Sequence, residues 1–247
     1  MNKTKLLLST FLVLGASASF AAGYTDNGKG ITLKVKNASA EGARIVRLEV
    51  VNDDIIRVRA TCADALPEKQ SLIVVPQKSA AKYKVTEKNG VITLKAKNVQ
   101  AVVNEANGHI AFYDAKGELL LNETKDGKTF RPYTVPSNEI GTGATLSEAQ
   151  RHGWSWNATF ESSDDEAFYG LGQHQAEDFN YKGKNEELFQ YNTKISVPFV
   201  MSNKHYGILW DSYSLCRWGN PNAYQQLGQQ FTLYNREGKK GCLTGTY

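Results

Sequence analysis

Side chains that could bind a sugar are concentrated in one polar segment, Gln173–Asn185. Amide, imidazole and carboxylate groups form hydrogen bonds with hydroxyl groups, and an aromatic ring can lie against the apolar face of a pyranose. The segment is therefore predicted to be a ligand-binding loop, and its candidate substrate-binding residues are His174, Gln175, Asp178, Phe179 and Tyr181. The alternative is that His174 and Gln175 satisfy backbone groups at a domain interface.

Carboxylates in apolar or aromatic surroundings are candidates for acid–base chemistry, because such surroundings shift their pKa values. Three places fit this description: Asp178 before Phe179, Glu186-Glu187 before Leu188-Phe189, and Asp211 after Trp210. The run Asp164-Asp165-Glu166 is instead typical of a solvated turn.

Nucleotide and metal chemistry are not indicated. Gly170 and Gly172 form a Gly-x-Gly, but no Lys-Ser or Lys-Thr follows at the spacing of a phosphate-binding loop. The three cysteines and four histidines are scattered without metal-ligand spacing. We therefore expect no cofactor and no metal, and we interpret Cys62, Cys216 and Cys242 as packing residues that form at most one disulfide.

The amino terminus has the features of a secretory leader. Lys3 and Lys5 precede an uncharged run, Leu6–Phe20, that ends in small residues and is too short for a membrane span. Residues 1–21 are therefore predicted to be a signal peptide cut after Ala21, and the mature chain is predicted to be periplasmic or secreted. Removing Lys3 and Lys5 from the 29 basic residues leaves 27 against 25 acidic ones, which does not favour nucleic acid as a partner.

The elements that must position these residues are predicted to be strands. Apolar residues alternate with polar ones from Ile31 onward, and no helical periodicity persists over three turns in the first half of the chain. Strands are predicted along the chain at 31–35, 44–51, 55–60, 71–75, 82–87, 91–96, 99–104, 109–113, 118–122, 154–160, 198–202, 206–211 and 229–234. The pattern indicates an all-β fold, an antiparallel β-sandwich.

Three details of this pattern are specific enough to check. Asn89-Gly90 and Asn107-Gly108 suit type I′ hairpins. Residues Thr124–Glu148 are predicted to be a long connection. Trp154 and Trp156 would share one sheet face, and we interpret the pair as core rather than as an exposed platform for sugars.

Four pieces of the stretch Phe168–Asp211 carry a resemblance to a known family. They are the run FYGLGQHQ from Phe168, the Gly183–Asn192 segment, the PFVMS strand from Pro198 and the YGILWD run from Tyr206. In this order and spacing they resemble the N-terminal β-domain of family 31 glycoside hydrolases, and bacterial α-xylosidases in particular. The resemblance implies a galactose mutarotase-like supersandwich over residues 22–235. Residues 236–247 would be a linker or the start of a further module that resembles a PA14 domain.

The resemblance also implies a function. Family 31 enzymes are retaining α-glycosidases whose two catalytic aspartates lie on a (β/α)₈ barrel, and both would lie beyond Tyr247. None of the carboxylates named above matches the catalytic motifs, so no catalytic residue is expected in this chain. The implied partners are that barrel, as part of the same enzyme, and an α-linked oligosaccharide such as one derived from xyloglucan.

Other functions remain open at the level of sequence. The main alternative is a stand-alone carbohydrate-binding β-sandwich without catalysis. An aldose-epimerase-like enzyme shares the sandwich, but no His and Glu here match its acid and base. A domain built to pack on a barrel would expose an apolar interface, and we expect it at Pro198–Ser202 and Tyr206–Trp210.

Overall fold

The computed structural model describes residues 23–68, 70–76, 82–134, 147, 152–175, 179–188, 190, 192–212, 214 and 216–219. The predicted leader, Asp178, Cys242, the strand predicted at 229–234 and the segment 236–247 lie outside these ranges. Every regular element within them is a strand, and the described part of the chain contains no helix suited to crossing a membrane.

Two antiparallel sheets form the first half of the molecule. The four-stranded sheet has the order β1-β2-β3-β4 and is built from β1 Tyr24–Asp26, β2 Gly30–Lys34, β3 Ile45–Asn52 and β4 Ile55–Thr61. The six-stranded sheet has the order β10-β9-β8-β7-β6-β5 and is built from β5 Lys84–Lys88, β6 Val91–Lys95, β7 Val99–Asn104, β8 Ile110–Asp114, β9 Leu119–Thr134 and β10 His152–Glu161. Each strand pairs with its neighbour in sequence, so both sheets are meanders.

Alternating side chains from both sheets fill the space between them. Leu33 and Leu48 of the four-stranded sheet and Ile92, Leu94 and Val103 of the six-stranded sheet belong to one buried cluster. Since successive side chains of a strand point to opposite faces, this period-two pattern requires strands with one face covered. Burying one such side chain stabilises the fold by about 1.5–3 kcal/mol. The predicted all-β antiparallel sandwich is confirmed.

A long ribbon extends from the edge of the six-stranded sheet. Strand β9 continues to Thr134 and pairs with β10 along its length, from His152 opposite Thr134 to Glu161 opposite Asn122. The long connection predicted from Thr124 is therefore wrong as far as Thr134. The strand tolerates Pro132 because β8 pairs only with the first residues of β9, so one side of the ribbon is open there.

Local turn chemistry was predicted correctly at one hairpin and wrongly at the other. Asn89 and Gly90 both have positive φ, 53° and 75°, as a type I′ turn requires. In the second hairpin only Gly108 has positive φ, and the loop runs from Glu105 to His109. Its longer path brings the Glu105 side chain into the interior.

Two smaller sheets form the second half. The three-stranded sheet has the order β11-β13-β14, from β11 Phe168–Gln173, β13 Ile195–Ser202 and β14 Tyr206–Leu209, and β12 Glu186–Leu188 pairs with β15 Cys216–Trp218. A second buried cluster lies among these strands and consists of Phe168, Leu171, Tyr181, Leu188 and Val200.

One carboxylate links the two halves. Arg57 on β4 donates a hydrogen bond of 2.6 Å to Asp211, which follows β14, and Ser71 donates one of 2.8 Å to the other oxygen of the same carboxylate. The Ser71 hydroxyl also accepts hydrogen bonds from the backbone of Ile73 and Val74. The strand predicted at 71–75 is therefore wrong, because this segment bends around Ser71 instead of extending.

Two further expectations concern single residues. Trp154 is 59% exposed on the ribbon, so its predicted place in the core is wrong, while Trp156 is half-buried. Cys62 and Cys216 are free thiols, both half-buried, and burial raises the pKa of the Cys216 thiol.

Candidate functional site

A glycine-bounded turn in β11 leads into the predicted ligand-binding loop. Gly170, Leu171 and Gly172 all have positive φ, at 125°, 64° and 102°, and the pairing register of β11 with β13 shifts between the two glycines. A β-carbon at either glycine would overlap the backbone of β13, so the close approach of the two strands requires glycine. The turn points Leu171 into the second core, where it is fully buried.

Backbone hydrogen bonds close the loop back onto β11. The Tyr181 amide donates to the Phe168 carbonyl at 2.9 Å, and the Phe168 amide donates to the Asn180 side chain at 3.0 Å. Trp218 on β15 donates its indole N–H to the Tyr181 carbonyl at 3.3 Å. The later part of the loop, at Asn180 and Tyr181, is therefore held against β11 and β15.

The structure divides the four described substrate-binding candidates into two groups, while Asp178 lies outside the described residues. His174 and Tyr181 have buried side chains. Nε2 of His174 is hydrogen-bonded to the Leu171 carbonyl oxygen at 2.7 Å, and Tyr181 packs in the second core. Gln175 and Phe179 have exposed side chains, and the Phe179 ring, 82% exposed, lies 5.2 Å from that of Tyr169. Sugar contact by these residues stays a prediction, with His174 and Tyr181 in position to shape the loop and Gln175 and Phe179 in position to meet a ligand.

A cluster of charged groups lies directly behind the loop. Glu186 on β12 forms an ion pair with Lys194, and its Oε1 lies 3.4 Å from His174 Nδ1. Oε1 of its neighbour Glu187 lies 3.6 Å from Nε of Arg217 on β15. Burial raises the pKa of Glu187, against the opposing charges of Arg217 and Lys194.

These carboxylates are occupied as ion-pair partners. Consecutive residues of a strand face opposite ways, so Glu186 and Glu187 do not form a facing pair that could act together on one bond. Asp211 is engaged with Arg57 and Ser71. Within the described residues, no group of three or more His, Cys, Asp or Glu side chains is placed to hold a metal ion.

Glu166 departs from the solvated turn predicted for residues 164–166. Asp164 and Asp165 are exposed, whereas Glu166 is buried and accepts hydrogen bonds from Ser202 at 2.5 Å, Tyr206 at 2.6 Å and Ser162 at 2.7 Å. Burial alone would raise the pKa of this carboxyl, but the three hydroxyl donors outweigh it and lower the pKa. The residue fixes the start of β11 against the β13–β14 hairpin.

Strand β13 has its more hydrophobic face turned outward. Its inward side chains are Ser196, Pro198, Val200 and Ser202, while its exposed side chains are Ile195, Val197, Phe199 and Met201. Leu209 of β14, opposite Phe199, continues the exposed face, and the Phe199 ring lies over Gly207. We call these five exposed residues the outer row.

The sequence predicted an interface at Pro198–Ser202 and Tyr206–Trp210, which contain Phe199, Met201 and Leu209 of the outer row. Ile195 and Val197 extend the row beyond that prediction. The sequence did not predict that the apolar side of β13 would face outward, because alternation gives two faces without saying which one is covered. The ion pairs of Glu186 and Asp211 were also missed, since the partner of Glu186, Lys194, lies just before β13 and the partner of Asp211, Arg57, lies on β4. The sequence signal for them was a carboxylate close to an aromatic residue, Phe189 in one case and Trp210 in the other.

Comparison with known proteins gives a consistent assignment. Residues 45–218 match the Glycosyl hydrolase 31 N-terminal galactose mutarotase-like domain. An uncharacterized family 31 glucosidase of Pseudescherichia vulneris is 31% identical over 68% of this chain and 33% of its own length. An alpha-xylosidase of Saccharolobus solfataricus is 30% identical over 69% of this chain and 22% of its own length.

The same domain is recognised among solved structures. The crystal structure of the family 31 alpha-xylosidase of Xanthomonas citri matches with a TM-score of 0.69 and 36% identity, over 82% of this chain and 20% of that one. The chain thus spans between a fifth and a third of the length of these relatives. It belongs to glycoside hydrolase family 31, as the N-terminal galactose mutarotase-like domain of that family.

Proposed function

We propose that this chain is the substrate-side domain of an exported, retaining α-glycosidase, with α-xylosides as the favoured substrates. The barrel that carries the nucleophile and the acid/base would be a separate part of the same enzyme. Retention requires two carboxyl groups about 5–5.5 Å apart, and the ion-paired carboxylates behind the loop do not supply them. The chain alone is therefore expected to release neither xylose nor glucose from α-linked substrates.

The outer row is the observation that carries this proposal. A soluble domain that functions alone would be expected to turn the polar face of β13 toward water, yet Ile195, Val197, Phe199 and Met201 face outward. Such a contiguous apolar patch marks an interaction surface. The relatives are about two to four times as long as this chain, which supports a catalytic domain of the same enzyme as the partner that would cover the patch.

The docking proposal is tested by polar substitution of the outer row. The double variant Phe199→Ser/Met201→Ser should bind a separately produced family 31 barrel at least tenfold more weakly than the wild type in calorimetry. The matched control is Lys204→Ser, in the turn after β13 and outside the row. Equal affinities for the double variant and the wild type would contradict the proposal.

Reading the gene downstream of the Tyr247 codon gives an independent test. A continuous frame that encodes a barrel with two catalytic aspartates is the expected result. A stop codon there, together with an isolated chain that stays soluble and monomeric, would favour the stand-alone carbohydrate-binding function instead.

The pair of exposed Phe179 and half-buried Tyr169 favours sugar contact by the loop. Phe179 extends from it and rests against Tyr169, so a ring face is available for stacking. Calorimetry with xyloglucan oligosaccharides should detect weaker binding for Phe179→Ala and Asp178→Ala, whereas Lys184→Ala, in the same loop, serves as the control. Unchanged affinity in both variants would remove these residues from the site.

Export is the remaining part of the proposal. Residues 1–21 have the charge, apolar run and small residues of a cleavable leader. Expression with the native start should give a periplasmic or secreted product whose amino-terminal sequence is Ala22-Gly23-Tyr24. A cytoplasmic product that retains Met1 would contradict it.

A further inference from the structure

One face of the β9–β10 ribbon is lined with ring-bearing side chains. In an antiparallel pair, directly opposite residues share a face, as do residues two apart along one strand. The register therefore places three cross-strand pairs on the same face of the ribbon: Phe130 with Trp156, Pro132 with Trp154, and Thr134 with His152. We call these six residues the ribbon face.

The ribbon face runs from the first core out to solvent. At its inner end, Phe130 packs against the first core and Trp156 is half-buried. Farther out, Pro132 is exposed and Trp154 is 59% exposed. Trp154 is therefore not an isolated apolar residue on the surface, but the outer part of an apolar face whose inner end is fixed by packing.

The exposed apolar area is too small for a protein partner. A tryptophan side chain has on the order of 200 Å² of surface, so Trp154 and Pro132 together present roughly that area. A stable protein interface covers about 800 Å² on each partner. The exposed end of the ribbon face instead matches a ligand of the size of a sugar ring.

The polar groups at this end select an uncharged ligand that carries hydroxyl groups. No residue of the ribbon face is Asp, Glu, Lys or Arg. Arg131 belongs to the opposite face by its register and is ion-paired with Glu41 at 2.8 Å. Thr134 Oγ1 is hydrogen-bonded to His152 Nδ1 at 2.9 Å, which orients a hydroxyl group beside the indole. Because a hydroxyl group has one donor and two acceptor lone pairs, Thr134 can bond to a sugar hydroxyl as well.

We propose that Trp154, Pro132 and Thr134 form a carbohydrate-binding site on the ribbon, at which the Trp154 indole stacks against a pyranose ring. The apolar C–H face of the sugar lies on the indole, and a sugar hydroxyl bonds to Thr134. This site lies at the edge of the six-stranded sheet, whereas the Gln173–Asn185 loop follows β11 in the second half. The choice of a xylose-bearing polysaccharide as ligand rests on the proposed function, to which the ribbon adds a second contact for a long substrate.

A site with one stacking ring binds a single sugar weakly, so it acts mainly on polymers. Two weak sites that hold the same polysaccharide chain reinforce each other, and their combined affinity can exceed either one by about 10²–10⁴. We therefore expect the ribbon to increase the retention of a polysaccharide and to have little effect on a monosaccharide.

The test measures how strongly the full polypeptide that the gene encodes is retarded in gels that contain xyloglucan. Trp154→Ala should raise the dissociation constant at least about threefold, and Trp154→Tyr, which keeps an aromatic ring, should stay within about twofold of the wild type. The alanine variant should fold, because the ring that it loses is largely exposed. The control is Leu119→Ala, which removes a similarly exposed apolar side chain from β9 outside the ribbon face and should leave the constant unchanged.

An unretarded wild type, equal constants for Trp154→Ala and the wild type, or an equal loss in Leu119→Ala would overturn the proposal. Oxidation of tryptophan by N-bromosuccinimide gives a second measurement on the wild type. Xyloglucan should slow the oxidation of Trp154, followed by mass spectrometry of its peptide, at least about threefold, and an unchanged rate would also overturn the proposal.

Release of xylose from α-xylosides, measured on the same full polypeptide, tests the proposed function separately. A protein that releases xylose but shows no effect at Trp154 lacks the ribbon site and keeps the proposed function. A protein that is retarded through Trp154 but releases no xylose keeps the ribbon site and contradicts the proposed function.

Discussion

The two halves of the molecule bury their apolar side chains in different ways. Among the described residues, the first core contains thirteen buried side chains between facing sheets, whereas the second contains five and has strands that turn the outer row toward solvent. The first half is thus complete by itself. The second half has the composition of a layer covered on both sides, and the described residues cover only one side of it.

The largest expected effect comes from truncating the closed core. Leu48→Ala should lower the free energy of unfolding by about 3–5 kcal/mol, because Leu48 is fully buried between the two sheets. Urea denaturation followed by circular dichroism measures the change. The control Ile55→Ala, half-exposed on β4, should cost less than about 1 kcal/mol. Similar losses for the two variants would mean that the sandwich core is not enclosed.

Truncation in the second core should have a smaller and more local effect. The Trp218 ring packs edge-on against the rings of Phe168 and Trp210, with centroid distances of 5.0 Å and 5.5 Å. Its indole N–H donates a hydrogen bond to the Tyr181 carbonyl in the loop. Trp218→Ala should lower the free energy of unfolding by about 2–4 kcal/mol. Hydrogen exchange should accelerate in β14 and leave β6 protected, and equal acceleration in both strands would show that the two cores unfold as one unit.

Removing one of the three hydroxyl groups that donate to Glu166 should lower the free energy of unfolding by a smaller amount. Tyr206→Phe should destabilise the second half by about 1–2 kcal/mol, because it takes one donor from a buried carboxylate. Since the folded-state pKa of Glu166 is lowered, its contribution to stability is present above the ordinary value of 4.5 and is lost as the pH falls below it.

The pH dependence distinguishes this cause from lost packing. With one donor fewer, the pKa of Glu166 should move up toward its ordinary value, so the acid-induced loss of stability below pH 4.5 should be smaller in Tyr206→Phe. Acid titrations of stability for the wild type and for Tyr169→Phe, the control, should coincide. A parallel shift of the Tyr206→Phe curve without a change of slope would contradict the assigned role.

The smallest effect is expected on the ribbon. Trp154→Ala should change the free energy of unfolding by less than about 0.5 kcal/mol, because the ring is largely exposed. Urea denaturation of this variant beside Trp218→Ala compares an exposed tryptophan with a packed one. A loss above about 1.5 kcal/mol would show that the Trp154 ring is covered in solution.

The sequence predicted the first half better than the second. Alternation at Ile31–Val35 and the Asn89-Gly90 turn are local signals, and local signals suffice for a meander in which each strand pairs with the next. The segment around Ser71 was misassigned because its apolar residues resemble a strand, while the hydrogen bond from Ser71 to Asp211 comes from a residue 140 positions away. No local pattern contains that contact.

The sequence predicted where the candidate site lies along the chain but not how its side chains are oriented. Residue types identified the Gln173–Asn185 loop, and the structure adds that Tyr181 is anchored inward while Phe179 is exposed. Which side of a loop faces the core depends on positive φ angles at Gly170, Leu171 and Gly172. Glycine suggests such freedom, but a leucine gives no sign that it will adopt a left-handed conformation.

That Gly-Leu-Gly turn has a consequence for which substitutions the chain can accept. Positions 170 and 172 admit no side chain, because β13 passes too close. At position 171 the backbone favours Gly or Asn, whereas the second core requires a large apolar group. These opposed requirements leave few acceptable residues, so a saturation library across this turn should return almost only the parental sequence, while the neighbouring exposed loop positions vary freely.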